Sequence, residues 1–369
     1  METAISARTE HSVQNLVVEV PDHQQLTTPS LYHGEIPQFV ESEIERLYGN
    51  LYSSLPHLSM AGRLNGTSTY VVREQGKLTV VFLYLEKGNK VEVLNEVINV
   101  SRVEINQFTR YIFNELKNID LICFRSIHTD IHPVPFKVQR LNCLEDMVIR
   151  LPGSEDEYSA LLSPKTRSNL RRKFKSIKQD HPSFELKFIE CENIEEHHVL
   201  ELVEFNRARM SEKKKKSNYA DAESKRLIRL AKKSGVMTLG LIDGKICGGI
   251  INYRIGENYF CLMVAHDPKY NEYSLGLLCN YRAICEAIQW HAKELHFLWG
   301  RYHYKYALLA SPRELDVVVI YRSKILYLAN LDMAMKAYAI WLNREFSLWK
   351  HHQKQNKGFF YRLAKSVLH

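Results

Sequence analysis

The stretch from Val236 to Leu309 constrains this chain most, because its elements follow in a fixed order: three strand-like runs, a helix and a further strand. Val236–Ile242 alternates well enough for a strand, and Asp243-Gly244 is a strong hairpin signal. Ile246–Tyr253 returns with Gly248-Gly249 in its middle, which marks a bulge or a close approach to the backbone. Gly256-Glu257-Asn258 makes the next turn, Tyr259–Ala265 is a third strand, and the loop His266–Tyr273 follows. Ser274-Leu275-Gly276 then opens a helix, with Ser274 expected as its N-cap. Leu277, Leu278, Tyr281, Ile284, Cys285 and Ile288 recur at helical spacing, and Glu294–Leu298 is the closing strand.

A strand feeding a helix with glycine in its first turn offers free N–H groups and the positive end of the helix dipole, which suits phosphate. A plain N-cap with a close helix–strand contact accounts for the same residues. Upstream, Ser163-Pro164 starts a basic helix running to about Gln179. Arg167 and Arg171 lie at i,i+4, and Leu170, Phe174 and Ile177 form the opposite, inward side. Such a face is either a fork for phosphate or carboxylate, or a solvated charge run.

Three features carry a family resemblance. They are the basic helix start Ser163-Pro164-Lys165-Thr166-Arg167-Ser168-Asn169-Leu170-Arg171-Arg172, the helix start Tyr273-Ser274-Leu275-Gly276-Leu277-Leu278, and the exit His296-Phe297-Leu298-Trp299-Gly300 followed by Tyr304-Lys305. Together, over about residues 150–310, they resemble the acyl-CoA-binding core of the GNAT superfamily. More narrowly they resemble the CelD/BcsL-like branch associated with bacterial cellulose and exopolysaccharide biosynthesis, itself similar to FemAB-type transferases. The glycine run at Ser274-Leu275-Gly276 is shorter than the general GNAT phosphate loop.

The resemblance implies an α/β (α+β GNAT-like) fold of two tandem halves, with mixed sheets flanked by helices and the site in the second half. It implies acyl-CoA, acetyl or longer, as co-substrate, held by Ser274, Leu275, Gly276 and Leu277 with Arg167 and Arg171. It places Tyr304 as the acid for the leaving thiolate, with Lys305 beside it for catalysis or for holding a phosphate or carboxylate. His266, at the end of the third strand, has an unperturbed pKa suited to a general base, and His303 is a second candidate. A backbone N–H of the Ile251–Ala265 region is the expected oxyanion donor.

The first half repeats the ordering loosely. Ile36–Leu51 reads as a helix, Thr69–Arg73, Lys77–Leu85 and Val91–Asn99 as strands, Val103–Leu116 as a helix and Leu121–Ser126 as a buried strand. No residue-level repeat links the halves. The expected units are a flexible lead-in at 1–30, a degenerate GNAT-like domain at 31–150, the acyltransferase domain at 151–325 and a basic helical segment at 326–369.

Seven scattered cysteines without a CxxC fit reduced thiols in a cytoplasmic protein and do not support a metal site. No run of about 18 apolar residues suggests a membrane span, and Met1–Ser12 has no apolar core for a secretory signal. The net charge of +8 suits an anionic partner without choosing one. The expected acceptor is a small-molecule or saccharide amine. Lys213–Lys216 reads as an exposed loop, and the basic tail Lys350–Lys365 as a segment on the core or an amphipathic surface helix with peripheral membrane contact. Two alternatives stay open: a FemAB-like transferase using aminoacyl-tRNA, whose RNA backbone the basic segments would bind, and a non-catalytic GNAT-like binding or regulatory protein.

Overall fold

The computed structural model describes residues 27–367 apart from 131–134, 213, 216 and 218, with side chains described up to residue 349. Most of the lead-in, parts of the Lys213–Lys216 loop and the side chains of the Lys350–Lys365 tail lie outside it.

In chain order the first half comprises β1 (Thr27–Tyr32), α1 (Val40–Tyr48), α2 (Leu55–Met60), β2 (Ser68–Glu74), β3 (Lys77–Lys87), β4 (Lys90–Val93), α3 (Arg102–Glu115), β5 (Leu121–Ile127) and β6 (Lys137–Arg150). The second half runs through α4 (Glu155–Leu161), α5 (Pro164–Asp180), β7 (Glu185–Glu190), α6 (Glu196–Glu212), α7 (Asp221–Ser234), β8 (Gly235–Ile242), β9 (Lys245–Ile255), β10 (Asn258–His266), α8 (Leu275–Gln289), β11 (Glu294–His296), α9 (His303–Ala307) and β12 (Ser311–Tyr321). Two helices follow, α10 (Lys324–Ala329) and α11 (Leu331–Val367).

The fold is mixed α/β with two GNAT-like halves, but the halves share one continuous sheet of 12 strands rather than separate sheets. Its order is β1-β2-β3-β4-β5-β12-β6-β11-β10-β9-β8-β7. Each half is an antiparallel meander ending in a parallel pair bridged by a helix: β4 with β5 across α3, and β10 with β11 across α8. Between the halves lie β6 and β12, antiparallel along almost their whole length. Thus β12, the last strand in sequence, sits against β5 of the first half, while β6 sits against β11 of the second. Only Asp146–Arg150 of β6 reads as strand in the sequence, because Lys137–Cys143 is polar and only partly buried at this seam.

Val91–Asn99 is not one strand. The ladder stops at Val93, the Asn95 side chain takes the Leu83 N–H at 2.7 Å, and Val97 adopts a left-handed φ of 60°. The chain then rejoins β5: Val97 N–H donates to Ser126 O at 2.8 Å, and His128 N–H to Ile98 O at 2.9 Å. In the first half, the gap between the parallel strands is therefore zipped shut.

The hairpin at Asp243-Gly244 has left-handed φ at both residues, as the turn signal required. Gly248-Gly249 answers to close approach. A Cβ on Gly248 would stand 2.7 Å from His266 Cβ, and one on Gly249 2.8 Å from Thr238 O and 3.2 Å from Leu202 of α6.

Candidate functional site

The site begins where β10 and β11 part. Their parallel pairing covers only Asn258–Phe260 against Glu294–His296. Beyond it the chain after β11 turns to β6, with Phe297 N–H donating to Met147 O at 2.8 Å and Met147 N–H to Leu298 O at 3.1 Å. From Cys261 to His266, β10 is paired only with β9 among the described residues. A wedge opens there, and the equivalent place in the first half is closed.

A bulge at Leu262 sets which side chains look into the wedge. Tyr259 and Cys261 face the core under α8, while Met263 and Ala265 face the core under α6 and α7. Strict alternation would put Met263 with Cys261. The extra residue reverses the parity, so Val264 and His266 turn toward α8. A Cβ on Gly276 would lie 3.6 Å from Val264 Cγ2 and 3.7 Å from His266 Nδ1. The other ring nitrogen, Nε2, pairs with Asn271 Oδ1 at 2.9 Å. His266 is therefore oriented by Asn271, a partner the sequence reading did not name.

Ser274 corrects one expectation. It has left-handed φ and ψ of 55° and 44°, and its side chain makes no cap. Its carbonyl instead accepts from Leu277 N–H and Leu278 N–H at 2.8 and 3.3 Å. No acidic residue lies in the first turn of α8, so its N-terminus carries neither a hydroxyl cap nor a negative charge. The left-handed residue before a right-handed helix turns successive N–H groups to one side, a geometry that receives anions. The matching helix in the first half differs: Ser101 and Glu104 close a full capping box on α3.

Arg167 and Arg171 are not at the start of α8. Arg167 is committed to the end of α4, where one guanidinium nitrogen donates to the carbonyls of Ser159, Ala160 and Leu162 at 3.1, 3.0 and 2.6 Å. Arg171 is exposed. Both line a cavity of about 360 Å³ whose floor includes Leu170, Leu278 and Tyr281 and whose rim includes Arg282. Phe174, expected inward, is 43% exposed on the same wall. The α5 residues beside the α8 start are Lys173, which donates to Glu272 O, and Asp180, which accepts from the Tyr273 hydroxyl at 3.0 Å.

Lys305 is buried, and its ammonium does not reach into open space. It donates to the carbonyls of Phe297, Leu298 and Trp299 at 2.9, 3.2 and 2.5 Å. Burial pushes it down to about 8, with Cys261, Asp146 and Glu145 opposing. Lys305 thereby fastens α9 to the strand exit, replacing the expected ligand contact with a structural one.

Tyr304, one residue earlier, packs its ring edge-on against Phe297 at 6.0 Å. Burial raises its phenol far above the ordinary value, and Cys261, Tyr302 and Arg209 are its electrostatic neighbours. It stays protonated at neutral pH. From the α6–α7 side the Tyr219 hydroxyl donates to the carbonyl of the bulged Leu262 at 2.9 Å, and Arg209 shares that neighbourhood. His303 is exposed. Burial pushes the Cys261, Cys247 and Cys279 thiols up to about 12, which removes them as nucleophiles.

Residues 164–306 match the family model described as an acetyltransferase (GNAT) domain. Among solved structures, FemX aligns with a TM-score of 0.59 at 10% identity, over 80% of this chain and 99% of that one. A conserved protein of unknown function from Bacteroides thetaiotaomicron VPI-5482 aligns at 0.55 and 11% identity, over 79% and 100% of the two chains. L-PGS from Bacillus licheniformis aligns at 0.50 and 13% identity, over 79% and 93%. At such identities the likeness is one of fold. A search of curated proteins gave no match. Residues 164–306 are thus similar to the GNAT acetyltransferase domain, and the chain has a fold shared with FemX.

Proposed function

We propose that the protein is an N-acyltransferase that moves an acyl group from acyl-CoA to an amine, with the second half as its working site. The observation that carries the reading is the conjunction of an open β10–β11 wedge with an uncapped α8 start at its mouth. The GNAT domain match falls over the same residues.

The donor's pyrophosphate would lie on the amides at Ser274-Leu275-Gly276, with Leu277 in the same turn. Gly276 carries no side chain there; a Cβ would stand at ordinary contact, 3.6 Å from Val264 and 3.7 Å from His266, so only a larger side chain would fill the space. The neighbouring cavity between α5 and α8 has an apolar floor and the arginines Arg167, Arg171 and Arg282 on its wall. It would take the nucleotide end of the same donor. The thioester would enter the wedge, where an unpaired N–H of β10 meets the carbonyl oxygen.

His266 would take a proton from the acceptor's ammonium. The amine nitrogen attacks the thioester carbon, the C–N bond forms and the C–S bond breaks; Tyr304 gives its proton to the leaving thiolate, and the second proton released by the nitrogen as the amide forms restores the Tyr304 phenol. Holding both substrates in one wedge supplies much of the rate. The first half would not bind donor: its gap is zipped and the start of α3 holds its own carboxylate, Glu104. The acceptor class suggested by the CelD/BcsL-like resemblance is an amino sugar or a polysaccharide or cell-envelope precursor.

A second reading, an aminoacyl-tRNA-dependent transferase, is favoured by the fold match to FemX over 80% of the chain. Incubation with radiolabelled acetyl-CoA or aminoacyl-tRNA and a panel of amino sugars separates the two. Product formed from acetyl-CoA supports the first reading. Product formed from aminoacyl-tRNA alone replaces it with the second.

A further inference from the structure

The C-terminal helix α11 is amphipathic in an unusual sense, because it has two apolar sides. One is narrow and made of small residues: Ala334 and Ala337 are buried against the seam of the sheet, where Gln139 donates to Ala334 O at 3.0 Å. The other faces away from the protein. Leu331, Met335, Tyr338, Leu342, Phe346 and Trp349 recur at spacings of three and four, which puts them on one stripe of a helix. All are exposed, Met335 to 64%, Phe346 to 53% and Trp349 to 56%. The short helix α10 extends the surface with Ile325 and Leu328.

A soluble monomer rarely leaves so long an apolar stripe to water. The charge around it selects among partners. In sequence α11 carries the cations Lys336, Arg344, Lys350, Lys354, Lys357, Arg362 and Lys365 and the acids Asp332 and Glu345, which pair with Lys336 and Arg344 at 3.2 and 2.8 Å. Pairing two copies would join two cation-rich, acid-poor helices, with few acids in either to offset the charge. A surface bearing anionic headgroups instead pairs with the lysines while its acyl region receives the apolar side chains. Tyr338, Phe346 and Trp349 suit the boundary between the two. No helix among the described residues is long and apolar enough to cross a membrane, so this helix would lie along a surface.

We propose that α11 docks this protein on an anionic lipid bilayer, lying in the interface with the Leu331–Trp349 stripe immersed. This surface is apart from the β10–β11 wedge and stands whatever donor the wedge takes. The test is sedimentation of the full chain with vesicles of phosphatidylcholine, with and without phosphatidylglycerol. The expected result is co-sedimentation with the mixed vesicles, little with phosphatidylcholine alone, and release as salt is raised. The double variant Met335→Glu, Phe346→Glu, at positions open to solvent, should bind at least about tenfold more weakly with an unchanged melting temperature. A wild-type chain that stays in the supernatant with mixed vesicles overturns the proposal. So does a salt-insensitive interaction, or a wild-type dimer in solution that the double variant converts to monomer.

Discussion

Gly248 lies directly across the β9–β10 ladder from His266, and a Cβ at Gly248 would stand 2.7 Å from the His266 Cβ. The histidine's position is thus fixed by the absence of a side chain opposite it. Gly248→Ala should cost about 1–3 kcal/mol of stability as the strands shift to relieve the overlap. It should also lower turnover by moving His266. Gly276→Ala is the contrasting control. Its new Cβ meets only ordinary contacts at 3.6 and 3.7 Å, and stability should hold within about 1 kcal/mol. Urea unfolding of both variants checks the pair.

The order of elements in the second half was legible because its turns are chemically explicit. Asp243-Gly244 and Gly256 mark hairpins, and the apolar spacing after Ser274 marks a helix. What escaped depends on distant partners. Nothing local says that β12 returns to lie against β5, or that polar Lys137–Cys143 is strand. The site was legible in its residue types more than in their roles. His266 and Gly276 do meet, but the bulge at Leu262 that aims His266 has no sequence mark. Arg167 and Lys305 read as ligand-facing cations, yet both satisfy carbonyls of the fold itself. Arg209 and Tyr219 were overlooked because they reach the wedge from an unrelated helix pair.

Tyr304 packs against Phe297 with Cys261 among its neighbours, its phenol held protonated by burial. If it delivers the proton to the thiolate, Tyr304→Phe should lower turnover by about a hundredfold or more. Donor affinity and melting temperature should be close to wild type, since the ring and its contact with Phe297 are kept. Steady-state kinetics beside donor titration make the comparison. Wild-type turnover would remove the acid role.

Lys305 predicts a change in stability and in its pH dependence. Lys305→Met leaves three carbonyls without their donor, a loss of about 2–5 kcal/mol. The folded pKa is lowered from 10.5 to about 8, so the unfolded chain binds this proton more tightly. Wild type should therefore gain stability from this group as pH rises between those values. The difference between wild type and variant, followed by denaturant titration across that range, should widen with pH.

His57 of α2 reports on the contact between the halves. It lies 3.1 Å from Arg226 of α7 and stacks edge-on with Tyr52 at 4.9 Å. Burial, then Arg226 and Arg63, lower it from 6.5 to about 3. The folded protein keeps His57 neutral while the unfolded chain charges it. Its contribution is complete above pH 6.5 and is lost as pH falls toward 3, at up to about 1.4 kcal/mol per pH unit. His57→Gln should flatten that part of the acid limb in a urea series. An unchanged slope would place His57 in water.

The central claim is that one acyl-CoA binds the second half at the start of α8. Isothermal titration of the full chain with acetyl-CoA, longer acyl-CoAs and free CoA tests it most directly, with wild type beside Gly276→Trp. The account predicts one donor per chain, an affinity that varies with the acyl group, and loss of binding in a variant whose melting temperature is retained. No heat with any of these donors would contradict it, as would a stoichiometry of two or an affinity untouched by Gly276→Trp.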